Sequence, residues 1–272
     1  MYLAACLQLR TGADIPYNLD RVEALAERAA GTGAALIATP ENTTFLGSSA
    51  QKVAIAEPLD GRTHRRLATL ARRLRVHLLV GSVAERVDHP GSETHCYNTS
   101  LLYGPTGDLL ARYRKLHLFD IDIPGGPTFR ESAHIVPGDE VVVARTPLGV
   151  IGLSICYDLR FPELYRKLVD AGAEILTVPS AFTLQTGKDH WHPLLRARAI
   201  ECQAWVLAPA QEGRHDDAGL RHSYGHALIA DPWGTVVAEC GDGEGFCLAE
   251  IDLGRVRRVR TAIPVDQHRR LK

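Results

Sequence analysis

The chain has 272 residues, 45% of them hydrophobic and 23% charged, with a formal net charge of −1 at pH 7. That balance excludes a basic nucleic-acid-binding or membrane-surface protein, and no stretch approaches the length of a membrane span, so neither nucleic acid nor membrane is an expected partner. The hydrophobic share is enough for a substantial core, in one large domain or two small ones.

Residues 2–8 read as a buried strand. Asn18 is placed to cap a helix in which Leu19, Val22, Leu25, Ala26 and Ala29 keep helical spacing, with Gly31 or Gly33 as its stop. Residues 34–39 form a short buried strand that runs into Pro40-Glu41-Asn42. A carboxylate there can face a cleft, or it can be an ordinary exposed loop Glu. Residues 62–75 form a second amphipathic helix, with Leu67, Leu70, Ala71 and Leu74 inward and arginines outward. No aromatic side chains interleave those arginines, so the face reads as solvated. A strand over 76–83 follows. Residues 97–103 and 108–114 flank Gly104-Pro105-Thr106-Gly107 and predict a hairpin. The hairpin delivers Lys115 among apolar and aromatic neighbours, although a surface lysine at a strand end is the plainer reading. Arginines outnumber lysines 26 to 5, which makes that lysine more noticeable. Residues 119–138 are rich in Gly and Pro, lack periodicity and contain Glu131. A structureless run of that length in a compact domain is usually functional.

Residues 141–145 and 150–155 predict a hairpin around a turn with Pro147, leading to Cys156. A helix over 162–171 follows, with Asp158 as a candidate cap, Pro162 in the first turn and Gly172 at its end. Then come a strand over 174–178, a helix over 189–203, a strand over 205–208 and a polar loop over 211–223. Residues 226–230 and 235–239 flank the turn Asp231-Pro232-Trp233-Gly234. A last strand over 246–251, a short basic helix and a polar tail close the chain. No linker or charge block interrupts this alternation, so residues 1–272 read as one α/β domain. The hairpins require mixed sheets, and two packed sheets with helices outside would bury this many apolar strands. The six cysteines, Cys6, Cys96, Cys156, Cys202, Cys240 and Cys247, include no C-x-x-C pair, the usage of a reduced cytoplasmic protein. The N-terminus lacks a basic region and a long apolar run, so it does not read as a signal peptide.

Cys156 sits where a strand hands over to a helix. Free backbone N–H groups there favour a thiolate and can hold an oxyanion; the alternative is a buried core cysteine. Glu41, Lys115 and Cys156 each follow a predicted buried strand, and strand ends on one edge converge on a cleft. Together they make chemical sense. A cysteine attacks a carbonyl or nitrile carbon, a carboxylate shuttles the proton, and an ammonium with the Tyr157 N–H holds the oxyanion. A Cys–His pair using His117 or His226 is the enzymatic rival. His190, His192, His215, Asp216, Asp217 and His222 could be drawn as a metal site but show no compact ligand spacing. No metal or cofactor is expected.

Pro40-Glu41-Asn42, Tyr113-Arg114-Lys115-Leu116-His117-Leu118-Phe119-Asp120 and Ile155-Cys156-Tyr157-Asp158-Leu159-Arg160-Phe161-Pro162-Glu163-Leu164 resemble the three signature segments of the nitrilase superfamily of carbon–nitrogen hydrolases. Ala197-Arg198-Ala199-Ile200-Glu201 and Asp231-Pro232-Trp233-Gly234 also look like family elements. The resemblance implies an α-β-β-α sandwich that assembles as a homodimer or higher homo-oligomer. It implies Glu41 as general base and acid, Lys115 as oxyanion stabiliser and proton donor, and Cys156 as nucleophile. Glu131 then matches a fourth carboxylate that positions Lys115 and the substrate. Within the superfamily, residues 119–132 are similar to ω-amidases. Residues 211–215, 223–226 and 263–270 look more like deaminated-glutathione amidases. Both imply a small α-keto-acid amide cleaved through a thioester, with release of ammonia or an amine. Arg160 would take the substrate carboxylate, and Phe182 and Thr186 match pocket positions. An ω-amidase, another amidase or N-carbamoylase, and an inactive binding protein on the same fold remain the alternatives.

Overall fold

The computed structural model describes residues 1–88, 92–122, 128–215 and 221–271. The first half of the chain runs β1 (Tyr2–Leu9), α1 (Ile15–Gly31), β2 (Ala34–Ala38), α2 (Ser49–Ala54), α3 (Arg62–Leu74), β3 (His77–Arg86), β4 (Cys96–Tyr103), β5 (Leu109–Arg114), β6 (Asp120–Asp122) and β7 (Thr128–Arg130). The second half runs β8 (Val143–Thr146), β9 (Gly149–Leu153), α4 (Pro162–Asp170), β10 (Ile175–Thr177), α5 (Leu184–Cys202), β11 (Trp205–Ala208), β12 (Ala210–Arg214), β13 (His222–Tyr224), β14 (Leu228–Ala230), β15 (Val236–Glu239), β16 (Gly245–Ile251), α6 (Leu253–Ala262) and α7 (Val265–His268).

One sheet has the order β13-β12-β1-β2-β3-β4-β5, with β16 also paired to β1; the other has the order β15-β14-β11-β10-β9-β8. Both are mixed. β1, β2 and β3 are parallel, while β3, β4 and β5 are antiparallel. In the second sheet β9, β10 and β11 are parallel and the flanking pairs antiparallel. The two-residue period of a strand assigns each side chain to a layer. Ala4, Cys6, Leu36, Ala38 and Leu79 pack toward the second sheet, with Ile151, Leu153 and Ile175. Their neighbours Ala5, Leu7, Ile37, Leu78 and Val80 pack outward with Leu19, Val22, Leu25, Leu67 and Leu70 of α1 and α3. Leu164, Tyr165, Trp191 and Leu195 of α4 and α5 cover the second sheet. The architecture is the expected α-β-β-α sandwich.

Four local expectations change. The N-cap of α1 is Asp14, whose carboxylate accepts the Tyr17 N–H at 3.0 Å. Asn18 is inside the helix, where its amide nitrogen donates to the carbonyls of Gly12 and Thr44, each at 2.9 Å. Tying down a neighbouring loop takes precedence there over capping. Helix α2 falls in a stretch to which the sequence assigns no element, because it has no buried residues to mark a period; a capping box between Ser48 and Gln51 starts it. Helix α5 starts at Leu184, five residues before the expected 189, with Thr183 as cap. Gly187 disguises that first turn, and a Cβ there would collide with Tyr224. The polar run expected as a loop over 211–223 holds strands β12 and β13, and residues 216–220 lie outside the described residues. Gln211 is buried there by hydrogen bonds: its amide nitrogen donates to Thr11 Oγ1 at 2.7 Å and to the Glu41 carbonyl at 3.0 Å. Burial by hydrogen bonding leaves no apolar pattern to read. The 119–138 segment contains the β6–β7 hairpin, and residues 123–127 lie outside the described residues.

Candidate active site

Three chain segments carry the site, and two buried polar residues lock them together. Asp158, with no exposed surface, accepts the Ile155 N–H at 2.8 Å, the Tyr113 hydroxyl at 2.6 Å and the His117 N–H at 3.0 Å. Its contacts therefore bracket Lys115 on one segment and adjoin Cys156 on the other. Asp158 does not cap α4, as the sequence suggested; it lies in the 3-10 turn Cys156–Arg160 and that work falls to no side chain. Asn98 on β4 makes the second lock, donating from its amide nitrogen to Glu41 at 3.0 Å and to Glu131 at 3.2 Å.

Glu41 follows β2 and is 4% exposed, Lys115 follows β5 and is 2% exposed, and Cys156 follows β9 and is 7% exposed. All three line one pocket. Lys115 Nζ lies 2.9 Å from Glu41 and 2.8 Å from the nearer oxygen of Glu131. The second Glu41 oxygen accepts the Ala181 N–H at 3.0 Å. Glu131 Oε2 also accepts the Phe119 N–H at 2.7 Å. Cys156 has φ of +49°, a left-handed conformation that few non-glycine residues adopt. The Tyr157 N–H, next in the chain, has no hydrogen-bond partner among the described residues.

The charges follow from these contacts. Burial alone would raise the Glu41 carboxyl, but the ammonium groups of Lys115 and Lys52, with hydrogen bonds from Lys115 and Cys156, hold it well below the usual range. Burial alone would lower Lys115, but Glu131, Glu41 and Cys156 hold it well above its usual value. Burial, and then the charge of Glu41, push the Cys156 thiol up, against Lys115 and the Ala181 N–H. The resting set is therefore a carboxylate, an ammonium and a neutral thiol. The thiolate expected at a helix start is corrected: Cys156 opens a short 3-10 turn beside a buried carboxylate, and those two factors outweigh the backbone N–H groups.

A pH profile checks this assignment. Because the Glu41 value is depressed, its carboxylate persists as pH falls through the ordinary range, and protonation waits until pH approaches the folded value. By the same linkage the ion pair's contribution to stability is complete above the unfolded carboxylate value of about 4.3 and is lost progressively as pH falls from there to the folded value. kcat/KM is expected to be level from about pH 5 to about pH 8. An acid limb centred near the ordinary carboxylate value of about 4.3, or a rise near the ordinary thiol value of about 8.5, contradicts it.

The pocket is also lined by Tyr157, Arg160, Phe182, Thr186 and Glu131. Arg160 lies over the rings of Phe182 and Tyr157 at 5.4 Å and 5.9 Å, and both terminal nitrogens approach His190 Nδ1 at 3.3 Å. Thr186 Oγ1 shares a hydrogen bond with Thr183 Oγ1 at 2.8 Å. The sequence reading did not place Asn98, Asp158 or Lys52 at the site. Lys52 alone left a usable trace, being one of only five lysines.

His117, His226, His192 and His215, named for rival chemistries, are each held in contacts of their own. His117 holds Asp158 through Nδ1 at 2.7 Å and stacks on Phe161 at 3.6 Å. His226 bonds Glu239 at 2.8 Å outside the pocket. His192 joins that same Glu239 at 2.9 Å, so His192, His226 and Glu239 offer donor atoms within 4.8 Å of one another, a group that shares only His192 with the metal set read from the sequence. His215 is buried between the Thr11 carbonyl and Ser223. Asp216 and Asp217 lie outside the described residues.

Comparison with known proteins gives a consistent set. The model of the carbon–nitrogen hydrolase family matches residues 3–261. A deaminated glutathione amidase from Synechocystis is 45% identical over 270 residues, covering 98% of each chain. The crystal structure of Nit3 from Saccharomyces cerevisiae, a member of branch 10 of the nitrilase superfamily, has a TM-score of 0.87 at 31% identity, over 99% of this chain and 97% of that one. The Caenorhabditis elegans NitFhit structure has a TM-score of 0.90 at 39% identity; this chain is covered to 99% and spans 65% of that longer protein. No helix among the described residues is long and apolar enough to cross a membrane.

Proposed function

The chain belongs to the carbon–nitrogen hydrolase family, in the Nit branch of the nitrilase superfamily, and from that premise we propose a cysteine-dependent amidase whose substrate is deaminated glutathione. It is a hydrolase of carbon–nitrogen bonds other than peptide bonds. The observation that carries the mechanistic reading is the convergence of Glu41, Lys115 and Cys156 on one pocket. The full-length similarity to a deaminated glutathione amidase supports the substrate.

Cys156 Sγ attacks the amide carbonyl carbon while its proton passes to Glu41. Moving the proton during attack avoids the thiolate that the buried site disfavours. The carbonyl π pair moves onto oxygen, where the Lys115 ammonium and the Tyr157 N–H receive it. Glu131 holds Lys115 through both oxygens, at 3.1 Å and 2.8 Å. Relaxing to a single contact frees one Lys115 N–H for the oxyanion. Collapse breaks the C–N bond, and Glu41 returns the proton to the departing nitrogen. A thioester remains. Water then attacks it, again giving its proton to Glu41, and collapse releases the acid and restores the thiol. Arg160, lacking a carboxylate partner among the described residues, takes the keto-acid carboxylate against the Phe182 and Thr186 wall.

Residues 1–272 act as one such domain. Exposed apolar side chains, Ile200, Trp233, Val237 and Ile263, support a homodimer, and six free cysteines support a cytoplasmic setting. An assay of amide cleavage on deaminated glutathione, α-ketoglutaramate, a simple nitrile and an N-carbamoyl amino acid tests the substrate. Deaminated glutathione is expected to give the highest kcat/KM. Equal or faster turnover of α-ketoglutaramate transfers the assignment to the ω-amidases.

A further inference from the structure

The pocket presents more positive charge than its chemistry consumes. Lys115 is spent on Glu41 and Glu131. Arg130, also on the lining, is closed on Asp122 through both carboxylate oxygens at 2.8 Å and 2.7 Å. Two lining cations, Lys52 and Arg160, have no carboxylate partner among the described residues, and they stand on different walls. Arg160 belongs to the 3-10 turn of Cys156, whereas Lys52 belongs to α2.

Lys52 is built in. Its Nζ donates to Asn42 Oδ1 at 2.7 Å. Asn42 is held in turn, with φ of +58° and its N–H on Ser82 Oγ at 2.8 Å. The Pro40-Glu41-Asn42 segment therefore aims two groups at the pocket, a catalytic carboxylate and, through Asn42, an ammonium. Lys52 remains half-buried with a neutral partner. Desolvation lowers its affinity for a proton, and the surrounding acidic groups only partly offset that. A cation in such a place gains most from an anion arriving with the ligand.

We infer that Lys52 is a second carboxylate subsite, so that the pocket selects amides carrying one carboxylate on the acyl side, for Arg160, and another on the departing amine, for Lys52. This rests on the amidase reading and narrows it. A substrate with a single carboxylate, such as α-ketoglutaramate, leaves Lys52 unanswered. A keto-acid amide of a small peptide with a free C-terminus satisfies both cations.

The test compares wild type with Lys52→Met and Lys52→Arg on three amides: deaminated glutathione, the same compound with its C-terminal carboxylate converted to a primary amide, and α-ketoglutaramate. For deaminated glutathione, Lys52→Met is expected to raise KM about 10- to 100-fold with kcat within about threefold, matching loss of one charge-assisted contact. Lys52→Arg is expected to restore most of the loss. For the other two substrates KM is expected to change less than about threefold. An equal loss on all three substrates overturns the inference, as does a fall in kcat alone with a displaced acid limb, which would mean that Lys52 acts only through the charge of Glu41. If wild type cleaves none of the three, the amidase reading itself fails; if wild type cleaves them and Lys52→Met is indifferent, only the subsite fails.

Discussion

Cys156→Ala is expected to abolish amide hydrolysis, by about 10⁴-fold or more, while the protein folds and melts as wild type does. The proposed chemistry assigns the attack to this sulfur alone. Lys115 is bonded to both Glu41 and Glu131, and His117 and His226 are engaged elsewhere. Removal of a nucleophile collapses the whole catalytic unit, which is why single substitutions of this kind cost nearly as much as removing all members. The fold survives because Cys156 contributes only a small side chain to a large core cluster. Circular dichroism and a thermal melt beside the activity assay separate the two effects. Hydrolysis at more than about a hundredth of the wild-type rate contradicts the nucleophile assignment.

Lys115→Met is expected to damage both stability and rate. Among the described residues the ammonium is the only positive charge bonded to both Glu41 and Glu131, whose remaining shared donor there is the neutral Asn98 amide. Without Lys115, the buried Glu41 and half-buried Glu131 carboxylates lose the ammonium bonded to both, and only the charge of Lys52 remains to offset them. Breaking a buried pair this way costs about 3–5 kcal/mol, and loss of an oxyanion donor costs a further factor of about 10²–10³ in rate. The double variant Lys115→Met with Glu131→Gln removes one of the stranded charges. It is expected to recover much of the thermal stability and none of the activity. Recovery of both would make Lys115 a structural cation, without a direct role at the oxyanion.

The strand pattern was legible because the layers of this fold are made of apolar side chains at period two, and Ala4, Leu36 and Ile151 report burial through their hydrophobicity alone. The ends of those strands were legible for the same reason, and they placed Glu41, Lys115 and Cys156 as one set. What the sequence hid is burial achieved by hydrogen bonds. Asp158, Asn98 and Gln211 have at most 1% of their surface exposed yet look like surface residues in a hydropathy pattern. Asp158 in particular reads as a helix cap, because it is a carboxylate shortly before a helical run. Here it joins two active-site segments that lie 41 residues apart in the chain. Lys52 was missed with the whole of α2, a helix without a buried face.

The covalent intermediate is the claim on which the proposed chemistry depends. Wild-type enzyme mixed with excess deaminated glutathione, quenched in acid within the first turnovers and digested, is expected to carry the keto-acyl mass on the peptide containing Cys156. The label should disappear in Cys156→Ala and on treatment with hydroxylamine, which cleaves thioesters. Steady turnover with no acyl mass on that peptide, or with the same mass in Cys156→Ala, would contradict nucleophilic attack by this sulfur.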